Sequence, residues 1–548
     1  MGHDLGVPTT RGVPSYDDPV VAGTVAALGG PAGRHSRLDR TGFWTPVRWI
    51  VLLTLVASLF GWWQKSPCRV HPWVEDYQYT RGCYSDVFAL YFAERLAPTV
   101  VDGVVVAEGR RPYLEHPVEY PVVIGAVMAV AAKAVTPLPP ALRPRHFYDV
   151  TWAILTACAL VVAVTTSRLA GRRRPWDAAI FAAAPLLVLH GSTNWDLVAM
   201  ALAGLGLLQW ARQRPLAAGV LLGLATATKL YPVLFLVPLF ALCLRAGRLR
   251  AWRVTAAALV LTPVLLSLPV YLTSPFFADV LGQQTQVAGS PLSRLAAEGL
   301  SALAPTVATV SPEGLPVTGV NAAYRFFELN TTRPADWDSL WFVLQQARGG
   351  VALDSPLAGE APQLLNRGVA VLFVAALVGI VVLVLVAPRR PRLAPVLFLT
   401  VLAFLLTNKV WSPQFSLWLL PLAALARPRW RMLLAWQAAE ALVLLTRFYF
   451  FVGGSTRGGE GIEVEWFIGA VLLRDAVLVG LAVLVIREVL APGNDVVRRA
   501  GRWLDARPGY ARPNDPWPND ARPDDDAVDD PMGGVLDGAP DARERAPA

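Results

Sequence analysis

Length and composition place this chain among the proteins of membranes. Of its 548 residues, 54% are hydrophobic and only 16% are charged, whereas soluble domains are about one quarter charged. The formal net charge is +8, but most basic residues lie in short segments between apolar runs, where they set the orientation of membrane helices. The composition therefore gives no indication of nucleic-acid binding and predicts an all-α polytopic membrane protein.

Apolar runs divide the chain into two groups of predicted membrane helices. A helix needs about 20 residues to cross a bilayer. The predicted spans, about twelve in all, are 43–63, 147–169, 176–190, 195–211, 215–229, 231–246, 251–272, 366–388, 394–408, 412–426, 430–451 and 464–490. They form a seven-span N-terminal module (43–272), which carries an outer loop at 64–146, and a five-span C-terminal module (366–490). A long outer loop (273–365) joins the modules and is expected to form a partly helical cap.

Both ends of the chain are predicted to be disordered cytoplasmic tails. Residues 1–42 are polar and rich in Gly, Pro and Arg, and residues 491–548 are rich in Pro and Asp. Such compositions cannot bury enough apolar surface to fold.

Clusters of arginine predict the orientation of the spans. Clusters fall at alternate loops, as at Arg172–Arg174, Arg389–Arg392 and Arg427–Arg431. All of them face the cytoplasm if the chain crosses twelve times and both termini are inside. Residues 119–136 are apolar enough to cross, but a thirteenth crossing would reverse Arg172–Arg174. We therefore expect a juxtamembrane or re-entrant hairpin there, beside a cavity.

The segment that follows the first span carries the first candidate site residues. Asp86 stands where the chain becomes apolar again, and His116, Glu119 and Tyr120 precede the next apolar run. A carboxylate beside an aromatic, proline-broken edge at the membrane surface suits chemistry on a lipid-borne head group. An ordinary solvated loop is the alternative.

A second group of polar residues is expected on the same outer face. Asn194 and Asp196 lie in the turn HGSTNWD between two spans. Polar and ionisable residues at such positions are costly and usually functional, although these two side chains could instead cap the following helix.

Two lysines on this face are candidates for binding a lipid phosphate. Only four of the 49 basic residues are lysines, so a lysine here is a selected feature. Lys229, followed by Tyr231, lies in TKLYP, and Lys409, followed by Gln414, lies in TNKVWSPQFSLW. An ammonium at these positions could pair with phosphate or extend along the apolar surface to the interface.

Other polar residues are interpreted as structural. Cys68 and Cys83 share the first outer loop, where a disulfide between them is expected. Arg474 and Asp475 are adjacent within the last span and are expected to pair elsewhere. The sequence shows no metal-ligand cluster of defined spacing and no phosphate-binding Gly-rich loop, so neither a metal nor a cofactor is expected.

In combination and order, these motifs resemble the polytopic C-type glycosyltransferases, most closely family 87. The resemblance covers about residues 43–490 and rests on SDVFALYF, PYLEHPVEYP, NWD, ATKLYP, DWDSLW and NKVWSPQFSLWLLPL. It implies a C-type fold whose extracytoplasmic loops carry the site, in a multi-pass protein of the plasma membrane. It also implies transfer of a hexose, usually mannose, from a polyprenyl phosphate to a lipid-linked or envelope glycan acceptor. The chain departs from the family at Val122, where a second proline is usual, and in the Cys68/Cys83 loop.

The resemblance places Asp86 at the position of the catalytic acid. Because polyprenyl phosphate is a good leaving group, inverting transfer needs one carboxylate to take the proton from the acceptor hydroxyl. Asp86 is therefore the predicted general base, with Glu119 and Asp196 as competing candidates. Two alternatives from other classes remain: a lipid or glycan transporter, which commonly has repeat-related halves, and a non-catalytic membrane scaffold.

Overall fold

The computed structural model describes residues 18–29, 45–70, 76–102, 104–171, 174–280, 282–312, 314, 316–354, 360–454, 460–498, 530–539 and 541. The helices of the first module are α1 Pro19–Gly29, α2 Pro46–Gln64, α3 Ser66–Val70, α4 Tyr77–Thr80, α5 Asp86–Ala93, α6 Val122–Val135, α7 Arg143–Leu169, α8 Ala179–Ala182, α9 Pro185–His190, α10 Asp196–Ala211, α11 Pro215–Thr228, α12 Leu236–Arg245 and α13 Leu249–Thr273. Those of the long loop and the second module are α14 Pro291–Glu298, α15 Arg325–Thr332, α16 Leu340–Ala347, α17 Gln363–Val386, α18 Leu393–Thr407, α19 Ser416–Ala426, α20 Trp430–Gly453 and α21 Val464–Leu490.

The protein is mostly helical, but the prediction of an all-α fold is wrong in its outer loops. Strands β1 Thr99–Val101 and β2 Val104–Ala107 form a two-stranded sheet. In the long loop, β3 Phe276–Val280, β4 Gln283–Ala288, β5 Thr306–Val310 and β6 Pro316–Asn321 form an antiparallel sheet in the order β4-β3-β6-β5. These segments are short and rich in Val, Thr and Phe, which favour strands. The cap predicted from the sequence is thus a mixture of helix and sheet.

The lengths of the helices give a smaller number of clear membrane spans than the sequence does. Among the described residues, six helices are long and apolar enough to cross a membrane: Pro46–Gln64, Pro140–Leu169, Leu249–Thr273, Gln363–Val386, Trp430–Gly453 and Val464–Leu490. Six shorter apolar helices are Val122–Val135, Asp196–Ala211, Pro215–Thr228, Tyr231–Arg245, Leu393–Thr407 and Pro413–Ala426. The count of twelve crossings therefore stays a prediction.

Two of the predicted apolar segments have shapes that the sequence did not show. Residues 176–190 do not form one span, because a 3-10 helix (Pro175–Ala178), α8 and α9 follow each other with breaks. Pro185 lacks a backbone N–H and cannot continue the preceding helix. The α6 helix occupies the segment 119–136 and rises only about 21 Å, so the prediction that it does not cross remains open.

The two modules pack against each other through α12 and α19. Within the first module α2 contacts α7 and α9, and α10 lies between α7 and α11. Gly219 lets α11 approach α13, because a Cβ there would meet the carbonyl of Thr255. Within the second module α18 contacts α17, α19 and α21. Across the boundary, α12 contacts α17 and α18, and α19 contacts α7, α8 and α10.

Parts of both predicted tails are ordered, which corrects that expectation for the residues concerned. The buried carboxylate of Asp18 accepts a hydrogen bond from the backbone N of Trp430, at the first residue of α20. Residues 530–539 and 541 pack on the helix bundle, with Met532 and Leu536 buried in its core. The rest of the segments 1–42 and 491–548 lies outside the described residues, except for 19–29 and 491–498.

A network of arginines holds this C-terminal segment in place. The guanidinium of Arg245 donates to the carboxylate of Asp541 (Nε to Oδ1, 2.7 Å), and Arg390 donates to the carbonyl oxygens of Leu536 and Ala539. Gly534 has a positive φ, and a Cβ there would collide with the carbonyl of Trp210. The segment thus bridges α12 of the first module and the start of α18 in the second.

The disulfide expected in the first outer loop is confirmed. Cys68 of α3 is bonded to Cys83, two residues before Ser85, and this joins the end of the first span to the start of α5. Cys158 and Cys243 are free, as expected for residues that pack within the helices.

Candidate functional site

The start of α5 is fixed to the turn between α9 and α10. Ser85 is the N-cap of α5 and accepts a hydrogen bond from Val87, while its hydroxyl donates to the carbonyl of Ser192 (2.7 Å). The backbone N of Asp86 donates to the carbonyl of Thr193 (2.8 Å). Asp86 therefore stands in the first turn of a helix, where the helix dipole favours a negative charge.

The carboxylate of Asp86 accepts hydrogen bonds from three side chains, and the residue is half-buried. The Tyr84 hydroxyl donates to Oδ1 (2.6 Å), and the Asn194 amide donates to Oδ2 (2.6 Å). Gln414 of the second module donates to Oδ2 over a longer distance, 3.4 Å. Burial raises the pKa of Asp86, and the hydrogen bonds from Tyr84 and Asn194 oppose this. A carboxylate with a raised pKa is a stronger base.

Asn194 connects this carboxylate to the remaining polar residues of the site. Its Nδ2 also donates to the Tyr120 hydroxyl (2.7 Å), and its Oδ1 accepts from Lys229 Nζ (3.3 Å) and from the backbone N of Trp195 (2.6 Å). The N-cap residue of α10 is Trp195, which makes no side-chain cap bond. Asn194 thus links site residues and does not serve as a helix cap.

Asp196 is the counter-ion of Lys229. Lys229 Nζ lies 3.3 Å from one carboxylate oxygen of Asp196, and the Trp418 indole donates to the other (2.7 Å). Tyr231 stacks on Trp418, with 4.5 Å between ring centroids, and Lys229 Nζ lies 5.1 Å from the centroid of the Tyr120 ring. Because both oxygens of Asp196 are engaged and its side chain is buried, Asp196 is poorly placed to act as a base.

Glu119 faces the long loop. Its carboxylate pairs with Arg333 (2.7 Å), just beyond the end of α15. Burial raises the pKa of Glu119, while the Arg333 charge opposes the shift. Glu119 therefore joins the wall of the site to the cap.

Lys409 is not brought to Asp86. Its ammonium donates to the carbonyl oxygens of Thr331 and Arg333, at 3.1 and 2.7 Å, and so holds the end of α15. Burial lowers the pKa of Lys409 to about 8. The two lysines that the sequence assigned to one role thus have different partners.

His116 is buried beside Glu94, an acid that the sequence analysis did not single out. Its Nε2 is 3.9 Å from Oε2 of Glu94, which is just beyond the end of α5, and both side chains are buried. Burial lowers the pKa of His116 to about 4 and, together with the charge of Glu119, raises the pKa of Glu94 to about 8. Both shifts favour the neutral form near pH 7, so the 3.9 Å contact has little ion-pair character.

Lys65 and Tyr84 are further residues near Asp86 that the sequence interpretation did not single out. Lys65 follows α2 directly and is buried. Burial lowers its pKa to about 7, while the charge of Asp86 raises it. The rarity of lysine in this chain was the available signal, since Lys65 is one of only four.

The interpretation of Arg474 and Asp475 is corrected, since they pair with each other, with Nε to Oδ1 at 2.8 Å. Arg447 of the second module pairs with the buried Asp338 of the long loop (2.9 Å). Within the described ranges, no group of three or more His, Cys, Asp and Glu side chains is arranged to hold a metal ion.

Comparison with known proteins gives one family. The model of glycosyltransferase family 87 matches residues 120–413, which is more than half of the chain. The match includes Tyr120, Asn194, Lys229 and Arg333, whereas Asp86 precedes it. No curated protein matches the chain.

Proposed function

Because the chain belongs to glycosyltransferase family 87, we propose that it transfers a hexose, with mannose as the first candidate, from a polyprenyl phosphate to a lipid-linked or cell-envelope glycan. Membership of this family makes the protein a membrane glycosyltransferase. The donor, the sugar, the acceptor and the inverting mechanism are parts of the proposal. The family also favours an enzyme over a transporter or a scaffold.

The observation that carries the proposal is that one half-buried acid, Asp86, and one cation, Lys229, are bound to the same amide side chain. Asp86 is partly exposed and held by Tyr84 and Asn194, and Lys229 lies on the other side of Asn194. Asp86 would take the proton from the acceptor hydroxyl while the oxygen of that hydroxyl attacks the anomeric carbon of the donor sugar. The bond from that carbon to the phosphate oxygen breaks, and its electron pair leaves with the phosphate. Lys229 would stabilise the charge that develops there.

Asp86 is a better candidate for the base than either competing acid. Asp196 is occupied by Lys229 and Trp418, and Glu119 is occupied by Arg333. Asp86 accepts from neutral donors, namely a phenol and two amides. Among the described residues no salt bridge engages Asp86, although the charge of Lys229 lowers its pKa.

The proposed location is the extracytoplasmic face of the plasma membrane, with both termini in the cytoplasm. The alternating arginine clusters support this orientation, and the disulfide in the first outer loop suits an oxidising compartment. Labelling of single cysteines at Pro140 and at Pro428, in a variant without Cys158 and Cys243, tests it. Labelling of both positions from the same side would refute the orientation.

The test of the catalytic role is transfer of radiolabelled mannose from polyprenyl phosphate by purified Asp86→Asn protein. Loss of a general base should reduce turnover by about 10²–10⁴-fold. The nearly isosteric amide should leave protein yield and the KM for the donor close to wild type. Glu119→Gln is the matched control because it changes a neighbouring acid. Turnover of Asp86→Asn within about threefold of wild type would lie outside the range for a general base and would exclude Asp86.

A further inference from the structure

A continuous surface of aromatic side chains begins beside the carboxylate of Asp86. We call it the aromatic wall; it consists of Tyr84, Tyr79, Phe451 and Trp337, which are half-buried or exposed, and it packs on the buried side chain of Phe448. Tyr84 and Tyr79 are nearly parallel with ring centroids 6.4 Å apart, and Phe448 lies 5.7 Å from Tyr79. Phe451 lies 5.4 Å from Tyr79 and 5.4 Å from Trp337. The wall therefore joins α4, the end of α20 and the long loop.

The aromatic wall and Lys229, the candidate ligand of the phosphate, are linked to different carboxylate oxygens of Asp86. Tyr84, the first residue of the wall, donates to Oδ1. Oδ2 receives two amide donors, Asn194 and Gln414, and Lys229 lies beyond Asn194. Within the described part of the chain, Oδ2 therefore accepts two hydrogen bonds and Oδ1 accepts one. A carboxylate oxygen has two lone pairs, so Oδ1 is the better acceptor for a substrate hydroxyl.

The far end of the wall is exposed but firmly anchored. Trp337 is 41% exposed, although it packs on Phe451. The next residue, Asp338, is fully buried and pairs with Arg447, whose guanidinium lies 5.2 Å from the centroid of the Phe451 ring. A large aromatic side chain held rigidly at the surface offers contact area at a low cost in conformational entropy.

We propose that the aromatic wall is the acceptor subsite and that it binds a pyranose ring of a glycoside, with one sugar hydroxyl directed to Oδ1 of Asp86. This inference rests on the proposed function and names the class of acceptor. In inverting transfer, the base and the leaving group lie on opposite faces of the transferred sugar. With the leaving phosphate at Lys229, the acceptor arrives from the side of Tyr84. The C–H face of a pyranose is apolar and flat enough to lie on aromatic rings, and its hydroxyl groups remain free for Asp86.

Kinetics with a defined glycoside tests the subsite. The assay uses the full-length protein, polyprenyl phosphate carrying radiolabelled mannose, and octyl α-mannoside as the acceptor. Trp337→Ala should raise the KM for the glycoside about tenfold, equivalent to ~1.4 kcal/mol, and leave the KM for the donor unchanged. Trp337→Phe should retain most of the affinity, and Tyr79→Leu tests the middle of the wall independently. Trp466→Ala is the control, since Trp466 is 70% exposed at the start of α21 and outside the wall.

Each contrary result has a distinct meaning. If Trp337→Ala and Tyr79→Leu leave the KM for the glycoside within about twofold of wild type, the acceptor subsite is wrong and the proposed function stands. If they raise the KM for the donor instead, the wall binds the prenyl chain and the subsite is again wrong. If the wild-type protein labels a lipid without a sugar head group in a lipid extract but does not label the glycoside, the assigned acceptor class is wrong. No transfer at all by the wild-type protein would refute the proposed function, and the subsite with it.

Discussion

Glu94 offers a test of the electrostatics around the site that does not depend on the substrate. The side chain is 5% exposed, and Oε1 accepts a hydrogen bond from the backbone N of Glu119 (3.2 Å). Burial and the charge of Glu119 raise the pKa of Glu94 to about 8, whereas that backbone bond and the charge of Arg325 act in the opposite direction. The perturbation is Glu94→Gln, which resembles the protonated acid at every pH.

The sign of the effect follows from proton binding in the two states. The pKa of an unperturbed glutamate is 4.5 and that of folded Glu94 is about 8. Between these values the folded protein holds a proton that the unfolded chain has released, so the free energy of unfolding falls as the pH rises. His116 acts at lower pH, because its pKa is lowered from 6.5 to about 4 in the folded protein. As the pH falls below 6.5, the unfolded chain binds a proton at this histidine first, and the free energy of unfolding falls. Lys65, whose pKa is lowered to about 7, also titrates between pH 6.5 and 8, so the difference between wild type and Glu94→Gln isolates Glu94. Across this window, 1.36 kcal/mol per pH unit gives at most about 2 kcal/mol for Glu94.

Thermal unfolding in detergent measures this difference. The wild-type Tm should fall between pH 6.5 and 8 relative to that of Glu94→Gln, by a few degrees for about 2 kcal/mol. The scan rate must be constant because unfolding of such proteins is often irreversible. Glu360→Gln, at an exposed position, is the matched control. Parallel pH profiles for wild type and Glu94→Gln would show that Glu94 is not protonated in the folded protein and would refute the reasoning.

Three further predictions concern Lys229 at the site, Lys409 at the cap and Asp541 in the C-terminal segment. Lys229→Ala should raise the KM for the polyprenyl phosphate donor about tenfold or more, since a charge-assisted bond to phosphate is lost. Lys409→Ala should lower the Tm and leave the donor KM within about twofold, because its ammonium holds backbone carbonyls of the cap; equal effects of both changes on donor KM would contradict this. Asp541→Ala leaves Arg245 buried without its carboxylate partner and should cost about 3–5 kcal/mol of unfolding free energy. The double variant with Arg245→Met should recover part of that loss, and additive losses in denaturant unfolding would refute the pairing.

The sequence predicted which residues lie near Asp86 better than it predicted which atoms each of them contacts. Short motifs that are distant in the chain, around Asp86, Asn194 and Lys229, meet in the structure because each lies at the end of an apolar segment on the same side of the bundle. Motif order and span ends are sufficient for that inference. They cannot distinguish a lysine that faces a neighbouring side chain from one that faces a backbone carbonyl. Lys409, whose ammonium donates to two backbone carbonyls, is an example.

The average composition of a segment also failed to predict individual contacts and breaks within it. Residues 530–541 are mostly small, polar or acidic, and such a composition indicates disorder. Their binding to the bundle depends on two buried side chains, Met532 and Leu536, and on Asp541, whose carboxylate accepts hydrogen bonds from the guanidinium of Arg245. Similarly, the apolar character of 176–190 predicted a span, although Pro185 interrupts the helix. Averages over a window do not report these individual contacts.

The geometry of Asp86 depends on three parts of the chain that fold from separate regions of sequence. Asn194 comes from the first module and Gln414 from the second. Glu119, next to Tyr120 of the site, is bound by Arg333 of the long loop. A small shift between modules would lengthen the Gln414 bond first, since it is already 3.4 Å. It would leave the 2.6 Å bond from Asn194 intact, because that residue and Asp86 share the backbone contact at Thr193. The position of the Asp86 carboxylate is thus set by the first module, and Gln414 is its contact with the second module.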